Sequence, residues 1–172
     1  MIHIVLIGNS QVGKSSLFQR LLHNDFSESF CCTISPTYGV YRDKYILYDL
    51  PGSIRWRIFA HPYLKIADAA IIVYNEKEKE SIAEWETILL EINRKKIPTL
   101  TVCNKIDIHR PTQSGNTLCI SCKEDSKLHE KFDPFFSTLY NNPKISMGWL
   151  EYFYLMLPSV EDVTDRMYQI FH

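Results

Sequence analysis

Charge of one sign is what this chain lacks. Its 172 residues carry 19 basic and 20 acidic side chains, a net charge of −1. No bulk electrostatic pull toward nucleic acid or an anionic membrane follows from that balance, so no nucleic-acid partner is expected. Long hydrophobic runs are missing too, none reaching the ~18 residues of a membrane span. The opening run Ile2-His3-Ile4-Val5-Leu6-Ile7 has no basic flank and no small-residue cleavage site, so it does not read as a signal peptide. Cysteine is sparse and odd in number, five without framework spacing. That points to a reducing, cytoplasmic setting rather than a disulfide scaffold. Cys119-x-x-Cys122 has no second pair and no histidine at finger spacing, short of a zinc site's ligand count. No cysteine stands between Met167 and His172, so no lipid anchor of its own is expected, although a partner could recruit the chain to a membrane. Internal repeats and low-complexity tracts are absent, and the histidines are scattered with no Ser/His/Asp grouping.

The length is that of one domain able to bury a core. Ile2 to Ile7 and Ala69 to Tyr74 read as buried strands, as do Pro98 to Cys103 and Thr117 to Ser121. Tyr38 to Tyr48 alternates around Arg42-Asp43-Lys44, the pattern of a tight hairpin. Leu17, Phe18, Leu21 and Leu22 mark a helix over 14–23. Ile82, Trp85, Leu89 and Ile92 mark a second, opened by the capping box Ser81-x-x-Glu84 and supported by a Glu91–Lys95 pair. Glu76 to Glu80 reads as a solvated approach to it. Strands alternating with helices predict a three-layer α/β fold. Its sheet is mostly parallel, with helices on both faces and one antiparallel hairpin strand.

Four motifs carry chemistry. Gly8-Asn9-Ser10-Gln11-Val12-Gly13-Lys14-Ser15 is a phosphate loop set between a strand and a helix. Its backbone N–H groups and helix N-terminus attract anions, Lys14 reaches the β- and γ-phosphates, and Ser15 offers a hydroxyl to Mg²⁺. Asn104-Lys105-Ile106-Asp107 follows the third buried strand. A carboxylate there can accept from guanine N1–H and N2–H₂, donors that adenine lacks. Ser121-Cys122-Lys123 ends the last strand, where the Cys122 N–H can meet guanine O6. Asp49-Leu50-Pro51-Gly52 offers a carboxylate to Mg²⁺ and a glycine N–H to a γ-phosphate. All four fall at strand C-terminal ends, the edge where open α/β sheets bind ligands.

With these residues in that order, the chain resembles a Ras-superfamily small GTPase, most similar to the Rab branch, from residue 2 to about 123. Asn9 to Leu17 is similar to the Rab phosphate loop, and Phe26-Ser27-Glu28-Ser29-Phe30-Cys31-Cys32-Thr33-Ile34 to the Rab first switch. The resemblance implies a P-loop G domain binding GTP or GDP with Mg²⁺. Nucleotide contacts then fall to Ser10, Gln11, Val12, Gly13, Lys14, Ser15, Ser16, Phe26, Thr33, Gly52, Asn104, Lys105, Asp107, Ser121, Cys122 and Lys123. Metal ligation falls to Ser15, Thr33 and Asp49, with Thr37 an alternative to Thr33. Catalysis falls to Lys14, Thr33, Gly52 and Ser53. It also implies a monomeric switch in vesicle trafficking or signalling, whose effectors or regulators read residues 30–66.

The chain departs from that family pattern in four places. Ser53 stands where the family has the glutamine that orients the attacking water, so intrinsic GTP hydrolysis is expected to be very slow. The hairpin between the switches is short. Residues 108–116 are too few for the usual helix, leaving one sheet face thinly covered. Asp133-Pro134 predicts that the last helix splits into 125–132 and 133–141. Residues 1–142 then form the G domain. Residues 143–172 form a helical extension, apolar nearly all round at Met147 to Leu157, expected to pack where the missing helix would lie. A non-switching module that displays a Rab-like surface to trafficking regulators is the alternative function. A P-loop kinase or ATPase is opposed by Asn104-Lys105-x-Asp107.

Overall fold

A computed structural model describes residues 1–29, 31–93, 96–109, 111, 117–142 and 145. Among these residues six strands form one sheet: β1 (Ile2–Ile7), β2 (Thr37–Tyr41), β3 (Tyr45–Asp49), β4 (Ala69–Tyr74), β5 (Thr99–Cys103) and β6 (Leu118–Cys119). Their order is β2-β3-β1-β4-β5-β6. All pairings are parallel except β2 with β3. Every residue of β1 and β4 is buried, as continuous apolar runs require at the centre of a sheet covered on both faces.

Among the described residues, four helices build the covering: α1 (Lys14–His23), α2 (His61–Ile66), α3 (Ser81–Asn93) and α4 (Leu128–Tyr140). Leu17, Phe18 and Leu21 of α1 join Leu128, Phe132, Phe136 and Leu139 of α4 in one core cluster. Leu64 of α2 and Trp85 and Leu89 of α3 form the other, on the opposite face. This is the α/β architecture that the alternation of strands and helices predicts. The hairpin turn puts Arg42 and Asp43 at φ 52° and 55°, a left-handed pair that reverses the chain tightly. Arg42 is held there by an ion pair with Asp133 at 2.7 Å and by stacking on Tyr41.

Local expectations are corrected in three places. The last helix is one piece, with Pro134 inside it. The lost N–H and the ring clash cost about 3 kcal/mol, but breaking the helix would misplace four fully buried side chains, each contributing about 1.5–3 kcal/mol. The capping box at Ser81 does not form. The Ser81 hydroxyl donates instead to the Glu78 carbonyl at 2.7 Å, and Glu84 is taken by Arg57. The last strand is short, only Leu118–Cys119 rather than Thr117 to Ser121, because Ser121 and the residues after it turn to build the site. Lys95, residues 112–116 and most of the 143–172 extension lie outside the described residues. The Glu91–Lys95 pair, the full 108–116 connection and the packing of 144–172 lie there with them. Of the extension, Ile145 is buried in the α1–α4 cluster.

Candidate functional site

The site begins where β1 ends. Gly8 turns the chain at φ 142°, and a side chain there would collide with the Val73 carbonyl 2.0 Å away. Gly13 takes φ 97°, and a Cβ on it would sit 2.2 Å from the Asn104 amide nitrogen. The loop is therefore pressed against β4 and the residues after β5, and only glycine fits at both contacts. Gly13 is also the N-cap of α1 and offers no side-chain cap. The first-turn N–H groups are left for an anion.

Lys14 folds back over this loop. Its ammonium donates to the Gly8 carbonyl at 3.0 Å and the Asn9 carbonyl at 2.8 Å. Burial pushes its pKa down to about 8, against the pull of Asp49. Gly52 lies tightly on the same group, since a Cβ there would be 2.4 Å from the Lys14 Nζ. The DxxG segment thus touches the phosphate loop through a residue that has no side chain to spare.

An oxygen cluster stands beside the lysine. The Ser15 hydroxyl donates to Asp49 Oδ2 at 2.6 Å and lies 3.0 Å from the Thr33 hydroxyl. Asp49 is 3% exposed, its other oxygen has no hydrogen-bond partner among the described residues, and burial raises its pKa. Hard oxygen donors around a buried carboxylate with an unsatisfied oxygen fit a small divalent cation such as Mg²⁺. Thr37, the alternative ligand, opens β2 opposite Asp49 and is exposed. The structure gathers Ser15, Thr33 and Asp49, and leaves Thr37 outside that group.

Opposite the phosphate loop stands the second wall. Asn104 is 2% exposed. It donates to the Val12 carbonyl at 3.0 Å and accepts from the Cys122 N–H at 3.1 Å. The Cys122 N–H is therefore already committed to Asn104, and a base could use it only as a shared donor. Lys105 donates to the Gln11 carbonyl at 2.7 Å. The Ser121 hydroxyl donates to Asp107 Oδ1 at 2.7 Å and orients that carboxylate.

Between the two walls lies a cleft of about 410 Å³, within the range of small-ligand sites. Ser10, Gln11, Gly13, Lys14, Ser15, Ser16, Phe26, Thr33, Gly52, Asn104, Lys105, Asp107, Cys122 and Lys123 all line it. Val12 and Ser121 stand behind it as hydrogen-bond supports. Ser53 is half-buried at the start of the 3₁₀ stretch Ile54–Ala60 and is not among the lining residues. Lys123 pairs with Glu28 at 2.7 Å, joining the loop after α1 to the last motif.

One element of the site was not legible in the motifs. Arg57 donates to Asn9 Oδ1 at 3.2 Å, pairs with Glu84 and stacks its guanidinium 4.5 Å from the Trp85 ring centre. The Trp85 N–H donates to the same Asn9 oxygen at 3.1 Å. Asn9 and Arg57 thereby tie the phosphate loop, the segment after Gly52 and α3 together. The helical spacing of Trp85 announced a core residue; nothing local announced its polar partner.

A phosphate loop at the head of a parallel sheet, facing an Asn-Lys-x-Asp wall, is the arrangement of a Ras-like GTP-binding domain. Comparison with known proteins agrees. The family described as Roc, Ras of Complex, domain of DAPkinase matches residues 3–107, more than half of the chain, and the chain belongs to it. Among curated relatives it is 29% identical over 143 residues to the Ras and EF-hand domain-containing protein of Xenopus tropicalis, covering 77% of this chain and 20% of that one. The homologous mouse protein is 30% identical over 143 residues, with 77% and 23% covered. The human EF-hand calcium-binding domain-containing protein 4B is 29% identical over 114 residues, with 60% and 16% covered. The chain thus spans about a fifth of the length of the relatives it matches.

Proposed function

We propose that this Ras-like domain is a Mg²⁺-dependent guanine-nucleotide switch or adaptor, similar to the Rab branch and slow in intrinsic hydrolysis. The observation that carries the reading is the single cleft in which the Lys14 phosphate loop faces Asp107. Lys14 and the first-turn N–H groups of α1 would balance the phosphates. Ser15, Thr33 and Asp49 would hold Mg²⁺, which supplies positive charge at the β- and γ-phosphate oxygens. Asp107, held by Ser121, would accept from the two guanine donors, and an adenine would leave that carboxylate unpaired. Ser53 is too short to hold a water in line from the backbone position of the family's glutamine, which supports slow turnover.

Residues 30–66 support the partner part of this reading. Ile34, Tyr38, Val40, Ile54, Ile58 and Phe59 are all exposed there, an apolar composition suited to effectors or regulators. A role in vesicle trafficking or signalling rests on resemblance. A cytoplasmic location rests on the sparse, unpaired pattern of the cysteines, with recruitment to membranes left to a partner. A second reading, a non-switching interaction module, is favoured by Arg57. Its bonds to Asn9, Glu84 and Trp85 pin the segment after Gly52 in one place, and a pinned segment responds less to the nucleotide.

The experiment is to denature the purified chain and identify the released nucleotide by chromatography. Intact GTP supports tight binding with negligible turnover. GDP means that turnover proceeds or that cells load GDP, and removes the support for slow hydrolysis. An empty chain that also ignores added GTP sinks the switch and leaves the interaction module.

A further inference from the structure

The Asp107 carboxylate is steadied from outside the four motifs. The Ser121 hydroxyl that donates to Asp107 Oδ1 at 2.7 Å is itself set by the residues after it. It accepts from the Glu124 N–H at 3.1 Å. The Ser121 N–H donates to Asp125 Oδ2 at 2.9 Å, and the Asp125 N–H donates back to the Ser121 carbonyl at 2.9 Å. Residues 121–125 thus form a closed turn, and Asp125 ties it to the helices on either side. Lys131, in the first turn of α4, donates to the same Asp125 Oδ2 at 2.8 Å and lies 3.5 Å from the Cys119 carbonyl oxygen of β6. Arg20 of α1 donates to the Asp125 carbonyl. The Asp125 and Lys131 side chains are 21% and 35% exposed, so water competes only in part for this pair.

We propose that Asp125, paired with Lys131, is a positioning residue that fixes Asp107 for two-point reading of guanine. This rests on the nucleotide reading of the same cleft. Neither side chain is among the described residues that line it, so both act through Ser121. A carboxylate that accepts from N1–H and N2–H₂ together must lie close to the plane of the base. Its direction depends on where the Ser121 hydroxyl stands, and Asp125 sets that place by holding the backbone N–H of the same residue. Lys131 keeps the Asp125 carboxylate turned toward that N–H, because one oxygen takes both donors.

The consequence falls on one end of the nucleotide. Guanine and hypoxanthine share the N1–H, and only guanine carries the N2–H₂ donor. A misdirected carboxylate therefore forfeits more with guanine than with hypoxanthine. The phosphates are common to both nucleotides, so the ratio of the two affinities isolates the Asp107 end. A general loss of stability would weaken both and leave the ratio where it was.

The test measures the Kd of the purified chain for GDP and for inosine diphosphate with Mg²⁺, by competition against a fluorescent GDP. The wild type should prefer GDP by about tenfold or more, the share of one hydrogen bond to a charged group. Asp125→Ala should cut that preference by about fivefold or more. Asp125→Asn keeps an oxygen for the Ser121 N–H and should retain the preference within about twofold. Lys131→Met leaves the Asp125 carboxylate in place without its anchor and should cut the preference by about threefold. It decides the matter if Asp125→Ala does not fold. An unchanged preference in Asp125→Ala, or in Lys131→Met where the alanine variant does not fold, overturns the proposal, whether or not both affinities fall. So does an Asp125→Asn chain that discriminates as poorly as the alanine variant. A wild type that binds neither nucleotide, or both equally, brings down the guanine reading itself and the proposal with it.

Discussion

Removing the Asn104 side chain tests the join between the two walls of the cleft. Asn104→Ala deletes both the donor to the Val12 carbonyl and the acceptor for the Cys122 N–H. Val12 is fully buried and Cys122 is 3% exposed, so water does not readily replace either partner. Each orphaned buried group costs about 1–3 kcal/mol. Taking the lower half of that range for each gives a loss of about 2–4 kcal/mol. The assay is urea unfolding followed by far-UV circular dichroism, with the slope compared between variants to confirm that the same surface is exposed. Asn104→Asp is the control. It keeps an acceptor for Cys122, loses the donor to Val12 and buries a charge, so it should be at least as unstable as the alanine variant. A loss within about 0.5 kcal/mol for Asn104→Ala, the range of ordinary surface substitutions, would refute the reasoning.

Other predictions follow from single groups. Lys14 has its pKa lowered to about 8 by burial, against about 10.4 unfolded. Below pH 8 the folded chain bears the full cost of a buried charge. Between about 8 and 10.4 it has released that proton while the unfolded chain still holds it, so this contribution to stability rises with pH by about 3 kcal/mol in total. The stability difference between wild type and Lys14→Met, measured across that range, should show the rise; a flat difference contradicts it. Phosphate restores the charged form, so nucleotide affinity should fall as pH rises above 8, with proton uptake on binding seen by titration calorimetry in two buffers. Asp49→Asn should weaken Mg²⁺-dependent retention of fluorescent GDP by about tenfold or more, since the ligand loses its charge. Because burial raises the Asp49 pKa, retention in the wild type should also weaken as pH falls toward it. Arg57→Ala should cost about 1–2 kcal/mol through the lost stacking on Trp85 and bond to Asn9. It should also speed proteolysis within residues 54–66; unchanged cleavage removes the support for a pinned segment.

What the sequence disclosed was whatever its local pattern could carry. The runs Ile2–Ile7, apolar but for His3, and Ala69–Tyr74 read as central parallel strands, and the Gly8–Ser15 spacing fixed a loop between β1 and α1. Pro134 misled because a helix-breaking residue is visible locally, whereas the burial of Phe136 against Tyr41 and Tyr45, with Phe132 beside it, is not. Ser81 misled for a similar reason: the partner that draws Glu84 away, Arg57, lies 27 residues earlier. The bond between Asn9 and Trp85 spans 76 residues, beyond any motif. The Asn104 link to Val12 spans 92. Asn104 was named from its motif, yet its work in holding the phosphate loop appears only in three dimensions.

Competition between GTP and ATP for the cleft tests the central claim most directly. With a fluorescent guanine nucleotide bound in the presence of Mg²⁺, unlabelled GTP should displace it at least about a thousandfold more effectively than ATP, because adenine leaves the Asp107 carboxylate unpaired. Displacement by ATP at concentrations comparable to GTP would contradict the account.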